Sequence, residues 1–178
     1  TSFLLKQIWE FAWMEAGLIG TIGIEIGQDR FSASHTTPEA DQLHNILSIM
    51  QERHIRAAAI EVSSHALSLN RVDGAYFSAA AFTNLTQDHL DFHGDMESYY
   101  QAKKKLFNAQ SCQTAFINVD DAYGARLAGE IAMVPTTISR RDSKAHWYFQ
   151  EIKSSSKGYE VPDGEPRLKG NSAVYGNK

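Results

Sequence analysis

A single cysteine, Cys112, stands in a chain of 178 residues. One thiol closes no internal disulfide, so a disulfide-scaffold domain is excluded, and so are the cysteine-rich zinc modules. Long apolar runs are absent too. A membrane helix needs ~20 apolar residues, and the most apolar early stretch, residues 3–14, is broken by Lys6, Gln7 and Glu10. The start has neither a basic segment nor a small-residue cleavage site, so no signal peptide is expected. An excess of positive charge is also missing. The net charge is −4 and the pI about 5.9, which argues against nucleic acid as the main partner. There is no internal repeat, no long low-complexity tract and no initiator Met before Thr1.

What is present has ordinary globular proportions: 43% hydrophobic and 21% charged residues, enough chain for one domain with a real core. The expectation is a soluble, cytoplasmic α/β domain. Residues 2–16 read as a helix with Leu4, Ile8, Phe11 and Ala12 on its inward face and Gly17 as its C-cap. A Gly-punctuated strand region follows at 18–26, then a polar loop at 27–35. Thr37-Pro38-Glu39 reads as a helix start with Thr37 as cap, and Leu43, Ile46, Leu47 and Met50 point inward from that helix. Short apolar runs at 57–62, 77–83 and 114–119 read as strands, the first covered on both faces. Helices are expected at 95–109, capped by Asp95, and at 121–130. Strands alternating with helices imply one mostly parallel sheet with helices on both faces. After Arg140 the pattern weakens, and 153–157 and 162–166 read as polar and turn-rich.

Open parallel α/β sheets bind ligands at the carboxyl ends of their strands. The run at 57–60 exits into Glu61-Val62-Ser63-Ser64-His65. The run from Phe77 exits into Thr83-Asn84-Leu85-Thr86-Gln87-Asp88-His89-Leu90-Asp91-Phe92-His93-Gly94. Both exits are crowded with carboxylate, hydroxyl and imidazole groups. A carboxylate such as Glu61 at an apolar strand is costly unless paired or bound to a cation, which leaves a salt bridge or a Mg²⁺ ligand as its readings. Asp88, His89, Asp91 and His93 read as a polar loop, or as a metallohydrolase cluster if the segment is extended. A third reading has His89 alone facing a metal or phosphate. Lys103 sits i+4 from Tyr99 and i−4 from Phe107, which singles it out from Lys104 and Lys105 as the inward lysine; the alternative is a solvated face. His35-Thr36-Thr37-Pro38 precedes a helix N-terminus, either as a plain cap or as an anion site. Gly17-Leu18-Ile19-Gly20-Thr21-Ile22-Gly23 is not a dinucleotide fingerprint, and no P-loop motif occurs in the chain.

Taken together, Thr36-Thr37-Pro38-Glu39, Glu61 to Leu67, Phe82 to Glu97 and Ala102-Lys103 resemble the central domain of the Mur ligase family. They come nearest to the branch that adds the third residue of the peptidoglycan stem peptide. The resemblance covers residues 1–130 and implies a P-loop-NTPase-like domain over 1–150, truncated at its start, with 151–178 as an ill-defined end. It implies an ATP-dependent amide ligase that acts on UDP-MurNAc-L-Ala-D-Glu through an acyl phosphate and takes a diamino acid as second substrate. Mg²⁺ is the implied cofactor. Glu61 matches a magnesium-binding glutamate, His89 a histidine at a second magnesium site, and Lys103 a lysine carried as its carbamate; these three are the implied catalytic residues. Thr36, Thr37, Ser63 and Arg71 match contacts to the UDP-linked substrate. His35 and Leu69 depart from the pattern, standing where relatives carry Asn and Gln. The family's P-loop would end at Thr1, and its uridine-binding N-terminal and amino-acid-binding C-terminal domains lie outside these 178 residues, so this chain alone is expected to be inactive. Residues 168–175 faintly resemble the family's adenine-binding stretch. A metal-dependent hydrolase and a non-catalytic binding fragment are the alternatives.

Overall fold

The structure is a computed structural model that describes residues 1–148 and the backbone of 153–155 and 158–160. It divides into two compact units, one of residues 1–75 with 89–105, the other of 76–88 with 106 onward.

In the first unit, helix α1 (Ser2–Phe11) leads into β1 (Ala16–Gly20), β2 (Gly23–Ile26) and β3 (Asp29–Phe31). Helix α2 (Ala40–Glu52), β4 (Ala57–Ile60) and α3 (Ser64–Ser68) follow. The unit closes with α4 (Leu90–His93) and α5 (Met96–Lys104). The sheet runs β3-β2-β1-β4. β1 and β4 are parallel, while β1–β2 and β2–β3 are antiparallel. β1 is buried along its whole length, and Leu18, Ile19, Leu43 and Ala59 form the core around it. Gly17 therefore lies inside a strand and does not cap the preceding helix. A Cβ there would come within 2.5 Å of the Met50 Cε. β4 is less covered than its apolar run implies, because Ala58 is exposed.

Helix α1 inverts the amphipathic expectation. Leu4, Ile8 and Phe11 are 64%, 61% and 89% exposed, whereas Ser2 and Lys6 are buried. The helix packs on β1 and β4, where two carboxylates wait: Glu25 of β2 and Glu61 just beyond β4. Ser2, Lys6 and Glu10 recur every fourth residue and make one stripe. Ser2 donates to Glu61 at 2.6 Å. Lys6 Nζ lies 2.6 Å from Glu10 and 2.9 Å from Glu25, and the exposed Arg30 reaches Glu25 at 3.3 Å. Carboxylates on a covered face demand donors more strongly than leucines demand burial. That decides which way the helix turns. Burial alone would lower the Lys6 pKa; hydrogen bonds and charge from Glu10 and Glu25 outweigh it and raise the value.

The second unit is a parallel sheet in the order β5 (Phe77–Phe82), β6 (Cys112–Asn118), β7 (Thr136–Ser139), β8 (Trp147–Tyr148). Helix α6 (Ala122–Glu130) packs on β6. Asp121 ties the turn together. One oxygen caps α6 through the Tyr123 N–H at 2.9 Å, and the other accepts the Leu85 N–H at 2.5 Å. Gly124 passes so near the Asn118 carbonyl that a Cβ would stand 1.9 Å from it. The single expected sheet is thus found as two four-stranded sheets, one mixed and one parallel, in separate units. β9 (Lys153–Ser155) and β10 (Gly158–Glu160) pair antiparallel where a polar, turn-rich segment is expected. The stretches at 162–166 and 168–175 lie outside the described residues.

Helix boundaries differ from the reading in two instructive places. α2 begins at Ala40 behind Glu39, and Thr37 does not cap it, because the Thr37 hydroxyl is drawn to the Glu61 carbonyl at 2.7 Å. Asp95 does cap α5, accepting the Ser98 N–H at 2.7 Å, but the helix stops at Lys104.

Replacing Lys6 by Met leaves Glu25 on a covered face with only an exposed arginine. Urea denaturation at pH 7 should show a loss of about 3 kcal/mol, the low end for breaking a buried ion pair. A loss under about 1 kcal/mol, the scale of a surface pair, would show that the ion cluster does not orient α1.

Candidate active site

Glu61 is the centre of the site. Its backbone N–H continues the β1–β4 ladder, donating to the Ile19 carbonyl at 2.8 Å. Its side chain lies across Gly20, where a Cβ would stand 2.7 Å from the Glu61 Cδ. One carboxylate oxygen, Oε1, accepts the Ser2 hydroxyl at 2.6 Å. The other, Oε2, accepts both the N–H and the hydroxyl of Thr21, each at 2.9 Å. Burial pushes the Glu61 pKa up, but the donors from Ser2 and Thr21 and the N-terminal charge outweigh it, so the value falls below 4.5. The group is ionised at neutral pH. A carboxylate has about four lone-pair sites; three are taken, and the one left is on Oε1. An ionised oxygen with one open lone pair fits a hard cation.

Around this carboxylate the structure gathers the predicted substrate contacts. Thr36 is half-buried, and its Oγ1 is 3.0 Å from the Thr21 Oγ1. Thr37 is fully buried. Its hydroxyl donates to the Glu61 carbonyl and accepts the Ser63 N–H at 3.0 Å, so it braces the exit of β4 from within. Ser63 caps α3 by accepting the Ala66 N–H at 3.1 Å. Arg71 reaches back to the same loop. Its Nη2 pairs with Glu39 at 2.5 Å and its Nη1 donates to the Thr37 carbonyl at 3.2 Å. Its Nε is buried with no hydrogen-bond partner among the described residues.

His89 and Lys103 belong to a second cluster, linked to the first through Ser63-Ser64-His65 at the start of α3. His89 precedes α4 with φ 54°, a left-handed conformation. Its ring stands edge-on to His65 with centroids 4.9 Å apart. His65 also packs on Phe92 at 4.1 Å. His93 stacks on Tyr99 at 4.9 Å, and its Nε2 is 2.8 Å from the Ser64 hydroxyl. Lys103 is half-buried, as its spacing implies, with Nζ 5.8 Å from the centre of the Tyr99 ring. Among the described residues no carboxylate pairs with it, and burial pushes its pKa below the usual 10.5.

The metallohydrolase reading needs an extended segment that aims alternate residues one way. The chain instead turns as a helix at α4, and His93 is occupied by Ser64 and Tyr99. Among the described residues no three His, Cys, Asp or Glu side chains are placed to hold a metal ion together.

A model described as the Mur ligase middle domain matches residues 1–176. The chain belongs to the Mur ligase family. A ligase from Streptomyces avermitilis named UDP-N-acetylmuramoyl-L-alanyl-D-glutamate–2,6-diaminopimelate ligase is 44% identical over 138 residues, 77% of this chain and 27% of its own length. A Clostridium perfringens protein of the same name is 43% identical over 164 residues, covering 90% of this chain and 34% of its own. A solved structure of a ligase of that name superposes with a TM-score of 0.78 at 31% identity, covering 89% of this chain and 33% of that one. The chain therefore spans about a third or less of the relatives it matches.

Three supports of this Mur ligase site are not evident from residue type. Ser2 and Thr21 carry no charge, and Gly20 shows its role only when the Glu61 side chain is seen against it. The run 17–23, which does not match the dinucleotide fingerprint, holds Gly20 and Thr21 and forms the seat of the carboxylate. His65, inside a motif already noted, proves to be the ring on which His89 rests.

Burial lowers the His93 pKa below 6.5, and the neighbouring His65, His89 and Lys103 lower it further, with only Asp91 opposing. His93 should thus be neutral at pH 7 and titrate below 6.5 in an NMR pH series. Its part in stability is intact above the unfolded value and is lost as pH falls through the lower folded one. A midpoint above 6.5 would contradict this packing.

Proposed function

We propose that this chain forms the magnesium and muropeptide side of an ATP-dependent amide ligase. The full protein joins diaminopimelate to UDP-MurNAc-L-Ala-D-Glu. The observation that carries the reading is the ionised Glu61 at the end of β4, held beside Thr36 by a shared partner. The names of the relatives support the choice of substrates. ATP phosphorylates the terminal carboxylate of the UDP-linked substrate. The amino group of the second substrate then attacks the acyl phosphate, and amide, ADP and phosphate result. These soluble nucleotide-linked reactants assign the work to the cytoplasm. No helix among the described residues is long and apolar enough to cross a membrane.

Each implied site residue has a task in this reading. Thr36 and Ser63 orient the muramoyl peptide, with Thr37 bracing the loop beneath them. The unpaired Nε of Arg71 is a donor for an acceptor oxygen of the substrate. Glu61 in the first cluster, and His89 with Lys103 in the second, would hold magnesium, which when bound would neutralise charge on the transferring phosphoryl oxygens. Glu61 and His89 present an oxygen and a ring nitrogen, as hard-cation and imidazole donors respectively. Lys103 serves as its carbamate. Desolvation favours the neutral amine, whose nitrogen forms a bond to the carbon of CO₂ while a proton leaves for water. The product is an anion in place of a half-buried cation, and it suits a site that is otherwise short of carboxylates.

The test uses the full-length enzyme with ATP, Mg²⁺ and UDP-MurNAc-L-Ala-D-Glu. Phosphate release should require diaminopimelate; release that ignores it would overturn the reading. In the same assay Lys103→Ala should lower kcat roughly 10²–10³-fold, the scale of removing one electrostatic stabiliser. Short carboxylates should restore part of the loss. Full activity in the variant, or loss without rescue, would leave Lys103 an ordinary amine.

A further inference from the structure

Thr21 belongs to neither group of implied site residues, yet it touches both. It occupies the two-residue turn between β1 and β2, where Gly20 pairs with Gly23. Its backbone N–H and its hydroxyl both reach Glu61 Oε2 at 2.9 Å. The same hydroxyl oxygen is 3.0 Å from the hydroxyl of Thr36. The side chain is exposed, so it contributes little apolar burial. What it supplies is hydrogen bonding.

Counting protons fixes the direction of this chain of contacts. Glu61 Oε2 accepts from Thr21 twice, from its backbone N–H and from its hydroxyl. The Thr21 hydroxyl has one hydrogen, and it lies between the two oxygens that are 2.9 Å apart. The remaining contact, Thr21 to Thr36, then needs the Thr36 hydrogen. The order is Thr36 to Thr21 to Glu61. Thr36 is left with lone pairs alone on the side away from Thr21. It can accept from an N–H or O–H of a ligand, and it repels a carboxylate or phosphate oxygen.

We propose that Thr21 is a positioning residue that seats Glu61 and, by taking the Thr36 proton, makes Thr36 an acceptor for an amide N–H of the muramoyl peptide. This rests on the ligase reading and names the group of the substrate that the site selects. A substrate with both amides and carboxylates is sorted by it: the amide settles at Thr36, and the carboxylates are turned toward donors such as Arg71.

The experiment compares full-length wild type, Thr21→Val, Thr21→Ser, Thr36→Val and the double variant T21V/T36V. Calorimetry measures binding of UDP-MurNAc-L-Ala-D-Glu, and steady-state kinetics measure KM for it and for ATP. Val keeps the size and the backbone N–H of Thr21 and removes the hydroxyl. T21V should weaken dipeptide binding and raise its KM about fivefold to tenfold, the scale of one hydrogen bond, with KM for ATP changed less than about twofold. T21S should recover most of the loss. The double variant should bind no worse than T36V, because the two residues act as one unit. A T21V enzyme that binds as wild type does, a T21S enzyme as impaired as T21V, or additive losses in the double variant would each overturn the proposal. A wild type that fails to bind the UDP-linked dipeptide overturns both this inference and the ligase reading. One that binds it, and is unmoved by T21V, overturns this inference alone.

Discussion

A carboxylate at the end of an apolar strand sets the terms for much of the first unit. Glu61 follows Ile60 directly, and the strand register leaves it opposite Gly20, where only a residue without a side chain gives it room. An uncompensated charge there would cost several kcal/mol. The surrounding chain supplies compensation from two directions: Ser2 from the helix above the sheet, and Thr21 from the turn at the end of β1. The backbone carbonyl of the same residue draws in the hydroxyl of Thr37. Helix, hairpin and loop are thus placed by one ionised group and its peptide. The arrangement that satisfies the charge also ties the Thr36 hydroxyl to Glu61 through Thr21.

The same rule explains the strangest local feature. Helix α1 carries Leu4, Ile8 and Phe11 on the face turned from the sheet. It does so because the alternative orientation would bring those leucine, isoleucine and phenylalanine side chains onto Glu25 and Glu61 and strip both of donors. Lys6 is suited to the inward position. It reaches two carboxylates at once, and its pKa is raised in spite of burial. Polar demand on the sheet face, more than the helix's own periodicity, decides the packing.

The parts of the fold that were legible are those where local chemistry and tertiary packing agree. Asp95 caps its helix as its position implies, and Lys103 turns inward as its spacing to Tyr99 implies. The apolar runs from Ala57, Phe77 and near Thr114 are strands. Legibility fails where a distant group outbids the local signal. Thr37 looks like a cap, but the Glu61 carbonyl takes its hydroxyl, and the helix starts three residues later. Gly17 looks like a helix end, but it lies inside β1, paired with Ile26 and Ala58. The inward face of α1 was read from hydrophobic spacing, which contains no information about carboxylates on the opposing sheet. In the site, the charged and aromatic residues stood out by type. Ser2, Gly20 and Thr21 did not, since a hydroxyl or a missing side chain shows its purpose only against its partner.

Neutral residues of this kind also settle a question that charged ones leave open. In the proposed reading Glu61, His89 and Lys103 serve a cation and phosphoryl charge, and nearly any phosphoryl-transfer enzyme carries residues of those types. Hydroxyl protons are more discriminating because each can be given only once. Thr37 spends its proton on a carbonyl and Thr21 spends its own on a carboxylate. Thr36 is the remaining member, and its direction follows from theirs. The charge on Glu61 therefore propagates outward as polarity, from an ion to a hydroxyl to a second hydroxyl, and ends as a preference for a donor over an acceptor. Two threonines can thus turn a carboxylate's demand for protons into a preference for a donor, provided the first of them is anchored to that carboxylate.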